Sequence, residues 1–356
     1  MEPVEKSGNL TYREIIRQHS GWKTALEALA QQEQKLKDLL QTYQDHVWIF
    51  SGCGSSYYLA QTGSALFEKI SGIRARAVPA SDVLISPEYI FNPSEKYVFV
   101  GISRSGTTTE IIRALQKSHS EFQVPTVAVS CTPNSILCDL SDGKITFPFQ
   151  EEKSVVMTGS FSTMLLSIIY LASLHSEKAG TRRRVMDVPE RGREIVQHFD
   201  PILSSFFDRY SPTHFVFLGQ GPYYGIANEA ALKMQEMSIS LSQSYQSLEY
   251  RHGPMSTAGG DTLITILSSR QGTDLEIELA KDMKSLGAAV LALYGKENSR
   301  RWDVADVAIA VGSDADLLNP LFYLPILQLL AFYRALSKNI NPDKPRNLTA
   351  VVELNI

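Results

Sequence analysis

The chain has 356 residues, which is room for two domains of ordinary size. Hydrophobic residues make up 44% of it and charged residues 20%, the composition of a globular protein with an ample core. The formal net charge of −4 provides none of the basic surface that nucleic acid requires, so we expect no nucleic-acid partner.

Cysteine usage and the apolar segments favour a cytoplasmic protein with no membrane association. The cysteines are an odd number without a CxxC pair, which indicates neither a disulfide framework nor a zinc site. They are Cys53, Cys131 and Cys138. Residues 1–15 are too polar for a signal peptide. The longest apolar stretch, 320–333, contains Pro325 and Gln328 and is too short to span a bilayer, so we predict a core or interface helix.

The predicted elements begin with helices and continue as alternating strands and helices. Thr11 and Glu14 have the spacing of a capping box, and the stretch 24–43 has helical composition. From His46 onward, strand-like segments alternate with helix-like segments. This order predicts an α/β fold in which helices flank both faces of a parallel sheet, the flavodoxin-like three-layer αβα arrangement.

The second half of the chain repeats the first. The segment VWIFSGCGSSYY, from Val47, corresponds to HFVFLGQGPYYG, from His214, and YVFVGISRSGTTTEI corresponds to TLITILSSRQGTDLEI. Long apolar helices are predicted near 164–174 and 321–336, at the end of each half. Four residues recur 166 positions later: Arg104, Gly106, Thr107 and Glu110 match Arg270, Gly272, Thr273 and Glu276. Elements in one order at a nearly constant offset indicate a tandem duplication.

The duplication predicts two domains with a segment on either side. A charged stretch, 177–195, is the predicted linker, and its run 182–184 of three arginines is expected to be solvated surface rather than a binding patch. The predicted segments are N-terminal helices at 1–45, a phosphate-binding domain at 46–185, a domain with the catalytic cluster at 195–338, and a C-terminal tail over the active site at 339–356.

Two loops rich in Ser, Thr and Gly, 52–56 and 103–108, follow neighbouring strands of the first half. Loops at the carboxyl ends of parallel strands favour anions, and the segment 158–160 is a candidate to complete the cradle. Tyr57 replaces the third glycine of a dinucleotide-binding loop, and Thr107 replaces the lysine of a Walker loop. The hydroxyls therefore suit a phosphomonoester better than a nucleoside triphosphate, unless they only cap helices.

The second half has a charged stripe in place of these hydroxyls. Glu229, Lys233 and Glu236 share one face of a predicted helix, and His252 follows in a polar turn. Carboxylate, ammonium and imidazole together suit the enolisation of an α-substituted sugar. The alternative interpretations are that the charged stripe is an exposed, salt-bridged helix face and that His252 is a turn residue with only a packing role.

These motifs resemble the sugar isomerase (SIS) superfamily, in its double-domain branch. They are SGCGSSYY, ISRSGTTTE, NEAALKMQE, RHGP and NPDKPRNL. That branch includes the isomerase half of glucosamine-6-phosphate synthase, amino-sugar-phosphate deaminases and fructosamine-6-phosphate deglycases. The opening NLTYREIIRQHSGW is similar to that of galactosamine-6-phosphate deaminase/isomerases. The resemblance covers the chain from about Val47 to Glu353 and implies two tandem SIS domains.

The resemblance implies a role for each candidate residue. It implies that the first half binds the sugar phosphate and that Val155 lines the site. The phosphate-binding residues are then Gly54, Ser55, Ser56, Ser103, Arg104, Ser105 and Thr108. Glu236 matches the base that moves a proton between C1 and C2, with Glu229 and Lys233 as supporting groups. His252 matches a ring-opening histidine that the neighbouring subunit supplies in the synthase. This match implies a homodimer with shared active sites. We expect the reaction to require no cofactor or metal.

The chain departs from the synthase pattern in two places. In the synthase, a lysine soon after the PRNL motif forms a Schiff base with fructose 6-phosphate, whereas here 345–348 is followed by Thr349 and Ala350. Arg104 replaces a glutamine that is frequent in the family. It is expected either to add charge to the phosphate site or to form a surface salt bridge.

The missing lysine implies a different reaction. We also expect no glutaminase domain to supply ammonia. An enzyme that receives an already aminated sugar needs neither the lysine nor a glutaminase domain. The expected protein is an amino-sugar-6-phosphate deaminase/isomerase that releases ammonia and a ketose phosphate. A fructosamine-6-phosphate deglycase, an aldose–ketose phosphosugar isomerase and a sugar-phosphate sensor without turnover are the alternatives.

Overall fold

A computed structural model of the chain describes residues 8–150, 152–296, 302–311, 317–349, 351 and 354. The chain divides into two compact units. The N-half unit comprises Gln18–Glu152, Gly159–Pro189 and Thr349–Ile356, and the C-half unit comprises Met1–Arg17, Lys153–Thr158 and Glu190–Leu348. Every structural statement about either unit concerns its described residues.

Strands and helices alternate along most of the described chain. The strands are β1 (Val47–Gly52), β2 (Ala75–Pro79), β3 (Tyr97–Ser103), β4 (Thr126–Ser130), β5 (Gly143–Thr146), β6 (His214–Gly219), β7 (Leu241–Tyr245), β8 (Thr262–Leu267), β9 (Ala289–Gly295) and β10 (Val307–Val311). The helices are α1 (Asn9–Ile16), α2 (Gln18–Gln31), α3 (Glu33–Thr42), α4 (Ser55–Ser71), α5 (Ala80–Ile85), α6 (Thr109–Phe122), α7 (Ile136–Asp139), α8 (Gly159–Ser173), α9 (Thr181–Met186), α10 (Val188–Ser204), α11 (Phe206–Arg209), α12 (Pro222–Ser238), α13 (Thr273–Ser285) and α14 (Asn319–Ser337). Short 3₁₀ turns lie at Pro87–Tyr89, Glu249–Arg251 and Pro254–Thr257.

The N-half unit is built on a five-stranded parallel sheet in the order β2-β1-β3-β4-β5. Alternate residues of a strand point to opposite faces. Ile49 of β1 shares a buried cluster with Ile111 and Leu115 of α6. Its neighbour Trp48 contacts Phe67 of α4, with 4.9 Å between the ring centroids. Helices therefore cover both faces, which confirms the predicted αβα arrangement in the flavodoxin-like strand order.

The C-half unit repeats this architecture. Its five parallel strands have the order β7-β6-β8-β9-β10. Ile264 of β8 packs in a buried cluster with Ile277 and Met283 of α13. Helices α12 and α14 pack together through Tyr223 and Tyr323, whose ring centroids lie 5.5 Å apart.

The duplication extends to backbone dihedral angles. Helices α4 and α12 follow the first strand of their sheets, and each has 17 residues. Gly54, before α4, has φ 53° and ψ −126°, and Gly221, before α12, has φ 58° and ψ −125°. An L-residue rarely adopts a positive φ, so both copies use glycine for the turn from strand to helix.

The predicted capping box at the N-terminus is wrong. Helix α1 begins at Asn9, after Gly8, so Thr11 lies within its first turn. The backbone N–H and the hydroxyl of Thr11 donate to Asp343, at 2.8 and 2.7 Å. Glu14 bonds instead to Lys153 and Ser154. Tertiary partners far along the chain, rather than local capping, therefore determine these side chains.

The two long apolar segments are core helices, which confirms the prediction of a core or interface helix for 320–333. Every residue of α8 is buried, and Pro325 and Gln328 are buried within α14. Among the described residues, α14 is the one helix long and apolar enough to cross a membrane. Because 78% of its 18-residue apolar window is buried inside the protein, it has the surroundings of a core helix.

The predicted linker is largely helical. Helix α9 and the start of α10 occupy most of 177–195, and the boundary between the units falls at Pro189. The three arginines at 182–184 are exposed. Arg182 forms an ion pair with Glu33 of α3, so the run is a solvated surface, as expected.

Candidate functional site

The first hydroxyl-rich loop joins β1 to α4. Ser55 and Ser56 form the start of α4 at the carboxyl end of β1, and both are buried. A Cβ at Gly52 would lie 2.6 Å from the backbone of Ser56, so only glycine fits there. The loop therefore brings a helix N-terminus, with its hydroxyls and N–H groups, close behind the strand, which is the local geometry of anion sites.

The second loop joins β3 to α6. Ser103 accepts the N–H of Gly106 at 3.0 Å, and its hydroxyl lies 3.4 Å from that of Thr108. Ser105 accepts the N–H of Thr107 at 3.2 Å. Because β1 and β3 are adjacent parallel strands, both loops lie at the same edge of the sheet. The structure thus places the predicted phosphate-binding residues of both loops at one edge of the N-half sheet.

Cys53 stands between the two glycines of the first loop. Burial, together with the nearby charge of Glu110, raises the pKa of its thiol to about 12. The thiol is therefore neutral at physiological pH and adds no negative charge to the candidate anion site.

Arg104 lies in the second loop but is not a surface residue. Its guanidinium forms an ion pair with Glu152 at 3.2 Å, and the Arg104 and Glu152 side chains are 15% and 0% exposed. Glu152 also accepts the N–H of Ser160 at 2.9 Å and the Ser160 hydroxyl. The expected salt bridge of Arg104 exists, but it is buried because Glu152 lies in the interior of the N-half unit.

Val155 belongs to the C-half unit. Its segment is held by Glu14 of α1, which accepts the N–H groups of Lys153 and Ser154 at 2.7 and 3.2 Å. The Ser154 hydroxyl also donates to Glu14. The predicted role of Val155 in lining the site stays a prediction.

The charged stripe of α12 is buried rather than solvated. The side chain of Lys233 is 0% exposed, and its Nζ lies 3.1 Å from Glu229 and 2.5 Å from Glu236. Glu229 is almost completely buried, whereas the Glu236 side chain is 18% exposed. Burial alone would lower the pKa of Lys233, but the two carboxylates outweigh it and raise the pKa. Lys233 therefore remains an ammonium ion that orients one partly accessible carboxylate.

His252 follows a 3₁₀ turn in the C-half unit and is exposed. Its backbone N–H donates to the carbonyl of Glu249 at 3.0 Å. Arg251 forms an ion pair with Asp282 of α13 at 2.7 Å, which fastens the turn to the unit. The imidazole is therefore presented to solvent on an anchored turn.

Leu354 contacts the residue that follows the second loop. The N–H of Leu354 donates to the hydroxyl of Thr109, the first residue of α6, at 2.9 Å. Thr109 directly follows Thr108 of the candidate phosphate site. Ala350, near which the synthase has its lysine, lies outside the described residues.

Sequence reasoning missed three carboxylates that hold these segments: Glu14, Glu152 and Asp343. Their partners lie far away in the sequence: Glu14 bonds to Ser154, Glu152 to Arg104, and Asp343 to Thr11. Local periodicity carries no signal for such pairs. A weak signal existed for Glu152, which lies eight positions before Ser160 at the start of an apolar helix.

The fold and loops define a duplicated α/β protein with a candidate anion site at one sheet edge. The SIS domain family matches residues 43–174 and 210–338, which contain both sheets. The chain belongs to the SIS domain family, which confirms the resemblance drawn from its motifs.

Curated relatives include glutamine–fructose-6-phosphate aminotransferases. The enzyme of Methanosarcina acetivorans is 27% identical over 314 residues, which is 84% of this chain and 50% of that protein. The enzyme of Clostridium perfringens is 26% identical over 374 aligned positions, which cover 99% of this chain and 60% of that protein. The chain thus spans about half to three-fifths of the length of these relatives.

Solved structures are similar over nearly the whole chain. Glucosamine-6-phosphate deaminase from Thermotoga maritima is 30% identical, with a TM-score of 0.81 over 97% of this chain and 100% of that one. Tagatose-6-phosphate ketose/aldose isomerase from Escherichia coli is 21% identical, with a TM-score of 0.85 over 94% and 95%. The second similarity concerns the fold alone.

Proposed function

We propose that the protein is an amino-sugar-6-phosphate deaminase/isomerase, which converts glucosamine or galactosamine 6-phosphate into a ketose phosphate and ammonia. The observation that carries this proposal is the buried ammonium of Lys233, which holds the accessible carboxylate of Glu236. The similarity to the Thermotoga maritima deaminase along its full length supports the same substrate class.

The proposed reaction begins from the open-chain amino aldehyde. Glu236 removes the proton from C2, which carries the amine, and returns it to C1. The amine gives up a proton and the C1 oxygen gains one, so the C1 aldehyde becomes an alcohol and C2 becomes an imine. Water then adds to the C2 imine and ammonia leaves, which gives the ketose. Lys233 lies between two carboxylates, so the group has a net negative charge with which Glu236 can accept the proton.

The two hydroxyl loops bind the substrate phosphate in this proposal. Ser56, Ser103, Ser105 and Thr108 donate or accept through hydroxyls beside helix N-termini. Neutral donors of this kind suit a phosphomonoester that must also leave after each turnover. We further propose a cytoplasmic homodimer, in which the exposed His252 opens the sugar ring in the partner's site.

The experiment is an assay of ammonia release with glucosamine and galactosamine 6-phosphates. The wild type should release ammonia from at least one, and Glu236→Gln should abolish release while leaving binding largely unchanged. Glu278→Gln is the matched control, because Glu278 also pairs with a lysine on its own helix but is 60% exposed. Retained activity in Glu236→Gln would contradict the assignment of the base.

Three other results would each indicate a function different from the proposed one. Interconversion of aldose and ketose phosphates without ammonia indicates the plain isomerase, the activity named for the structurally similar Escherichia coli protein. Release of an amino acid from fructoselysine phosphate indicates the deglycase. Tight binding of both amino sugars without any turnover indicates the sensor.

A further inference from the structure

Glu152 is an interior carboxylate with donors on two sides. Its fully buried side chain contacts Arg104 of the second hydroxyl loop and both the N–H and the hydroxyl of Ser160. Ser160 lies in the first turn of α8, where the helix dipole favours a negative charge. The carboxylate is thus bonded to a loop on one side and to a helix N-terminus on the other.

Arg104 is held through its backbone as well. Its carbonyl oxygen accepts the N–H of Cys131 at 3.2 Å and the hydroxyls of Ser130 and Thr132 at 3.3 Å each. The residue between Ser103 and Ser105 is therefore fixed at both ends. Because the two serines flank it directly, the direction of their hydroxyls depends on how Arg104 is held.

The duplicated half has a different arrangement at the matching position. Arg270 is the residue that matches Arg104, and its side chain is exposed. There, the buried carboxylate of Glu276 accepts the hydroxyl of Ser268 and the N–H of Ser269, at 2.8 and 3.1 Å. The buried arginine–carboxylate pair is thus found in the half that kept its hydroxyls.

We propose that Glu152 is a positioning residue of the phosphate site. By fixing Arg104, it holds the loop 103–108 in the form that accepts a phosphate group. The pair is neutral overall, so it contributes geometry rather than net attraction for the anion. The inference rests on the proposed function only in taking this loop as the phosphate site.

The test is calorimetric titration of inorganic phosphate and of glucosamine 6-phosphate into the full chain, with steady-state kinetics alongside. Glu152→Gln should lower the affinity for both ligands about tenfold, as expected for the loss of a charge-assisted contact that orders a site. KM should rise by the same factor, and kcat should change less than about twofold. Arg270→Gln, the matched control in the other half, should bind as the wild type does.

A double variant covers the case in which Glu152→Gln does not fold. Combining Arg104→Gln with Glu152→Gln replaces the ion pair by two amides. Its phosphate affinity should lie within about threefold of that of Arg104→Gln alone, because Glu152 then has no arginine left to hold. A further tenfold loss in the double variant would overturn the positioning role.

The outcomes separate this inference from the proposed function. Unchanged or tighter phosphate binding in Glu152→Gln overturns the inference, whatever the activity. A tenfold loss of phosphate affinity in a protein that turns over no sugar supports the inference while the proposed function fails. A wild type that binds neither ligand overturns the phosphate site and the inference together.

Discussion

The Nζ atom of Lys233 lies 2.5 Å from a carboxylate oxygen of Glu236, and no part of the lysine side chain is exposed. A second, almost fully buried carboxylate, Glu229, lies 3.1 Å from the same nitrogen. Removing one partner of a buried ion pair leaves an uncompensated charge in the interior, which is strongly destabilising. The lysine is therefore required by the fold as well as by the proposed chemistry.

Replacing Lys233 by methionine should lower the free energy of unfolding by about 3 to 5 kcal/mol, because Glu229 loses its counter-charge. Urea denaturation checks this. Lys281→Met is the control, since Lys281 pairs with Glu278 at 2.6 Å in an exposed position and should cost less than about 1 kcal/mol. Equal losses in the two variants would contradict the importance of burial.

Replacing Gly54 by alanine should weaken the binding of inorganic phosphate and destabilise the fold by about 1 to 3 kcal/mol, because the φ of 53° is strained for any L-residue. Gly221→Ala is the matched control, with nearly the same dihedral angles. It should lose similar stability and keep wild-type phosphate affinity. Equal losses of affinity in both variants would argue against a site specific to the first half.

The alkylation rate of Cys53 should report its raised pKa. Because the thiolate is the reactive form and the pKa is about 12, the rate should rise about tenfold per pH unit up to about pH 11. The same cysteine in urea should level off near its ordinary value of 9.0. Mass spectrometry of the Cys53 peptide distinguishes it from the other two cysteines. A plateau near pH 9 in the folded protein would contradict this prediction.

Ile239 ends α12 in a left-handed conformation, with φ and ψ both 48°. This conformation costs a β-branched residue about 1 to 2 kcal/mol, and the side chain is 46% exposed, so it recovers little by packing. Ile239→Gly should raise the free energy of unfolding by about 0.5 to 1 kcal/mol, after the entropy of glycine is subtracted. Ile239→Val keeps the strain and should show no gain.

Asp343 caps α1 from 332 positions away in the sequence, by accepting the N–H and hydroxyl of Thr11. It also accepts the N–H of Leu10 at 3.2 Å. Asp343→Ala should lower the free energy of unfolding by about 1 to 2 kcal/mol, as for other N-terminal caps. Asp343→Asn keeps one acceptor oxygen and should lose less. Unchanged stability in Asp343→Ala would show that the cap contributes nothing.

Much of the fold could be predicted from local sequence. Strands and helices each have a characteristic spacing of apolar residues, and the duplication appears as matching segments at a nearly constant offset. The spacing of Glu229, Lys233 and Glu236 also placed them on one face of a helix. That this face is buried could not be predicted, because it depends on the packing of α12 against α14 and β6.

Apart from a weak signal at Glu152 and the expectation that Arg104 forms a salt bridge, the supporting contacts of the site could not be predicted from the sequence. Arg104 and Glu152 are 48 positions apart, and neither belongs to a periodic pattern that would pair them. Thr11 and Glu14 had the spacing of a capping box, yet each bonds to a distant partner. Local rules describe what a residue can do, whereas the assembled fold decides which of several partners it meets.

The turns at Gly54 and Gly221 are two copies of one shape with different chemistry. The first is followed by Ser55 and Ser56, and the second by Pro222 and Tyr223. An anion drawn only by the bend of the backbone and the helix behind it would have no preference between them. The second turn is therefore an internal control. A ligand that binds at the first turn and not at the second is recognised by the hydroxyl and N–H groups of Ser55 and Ser56, since Pro222 has neither.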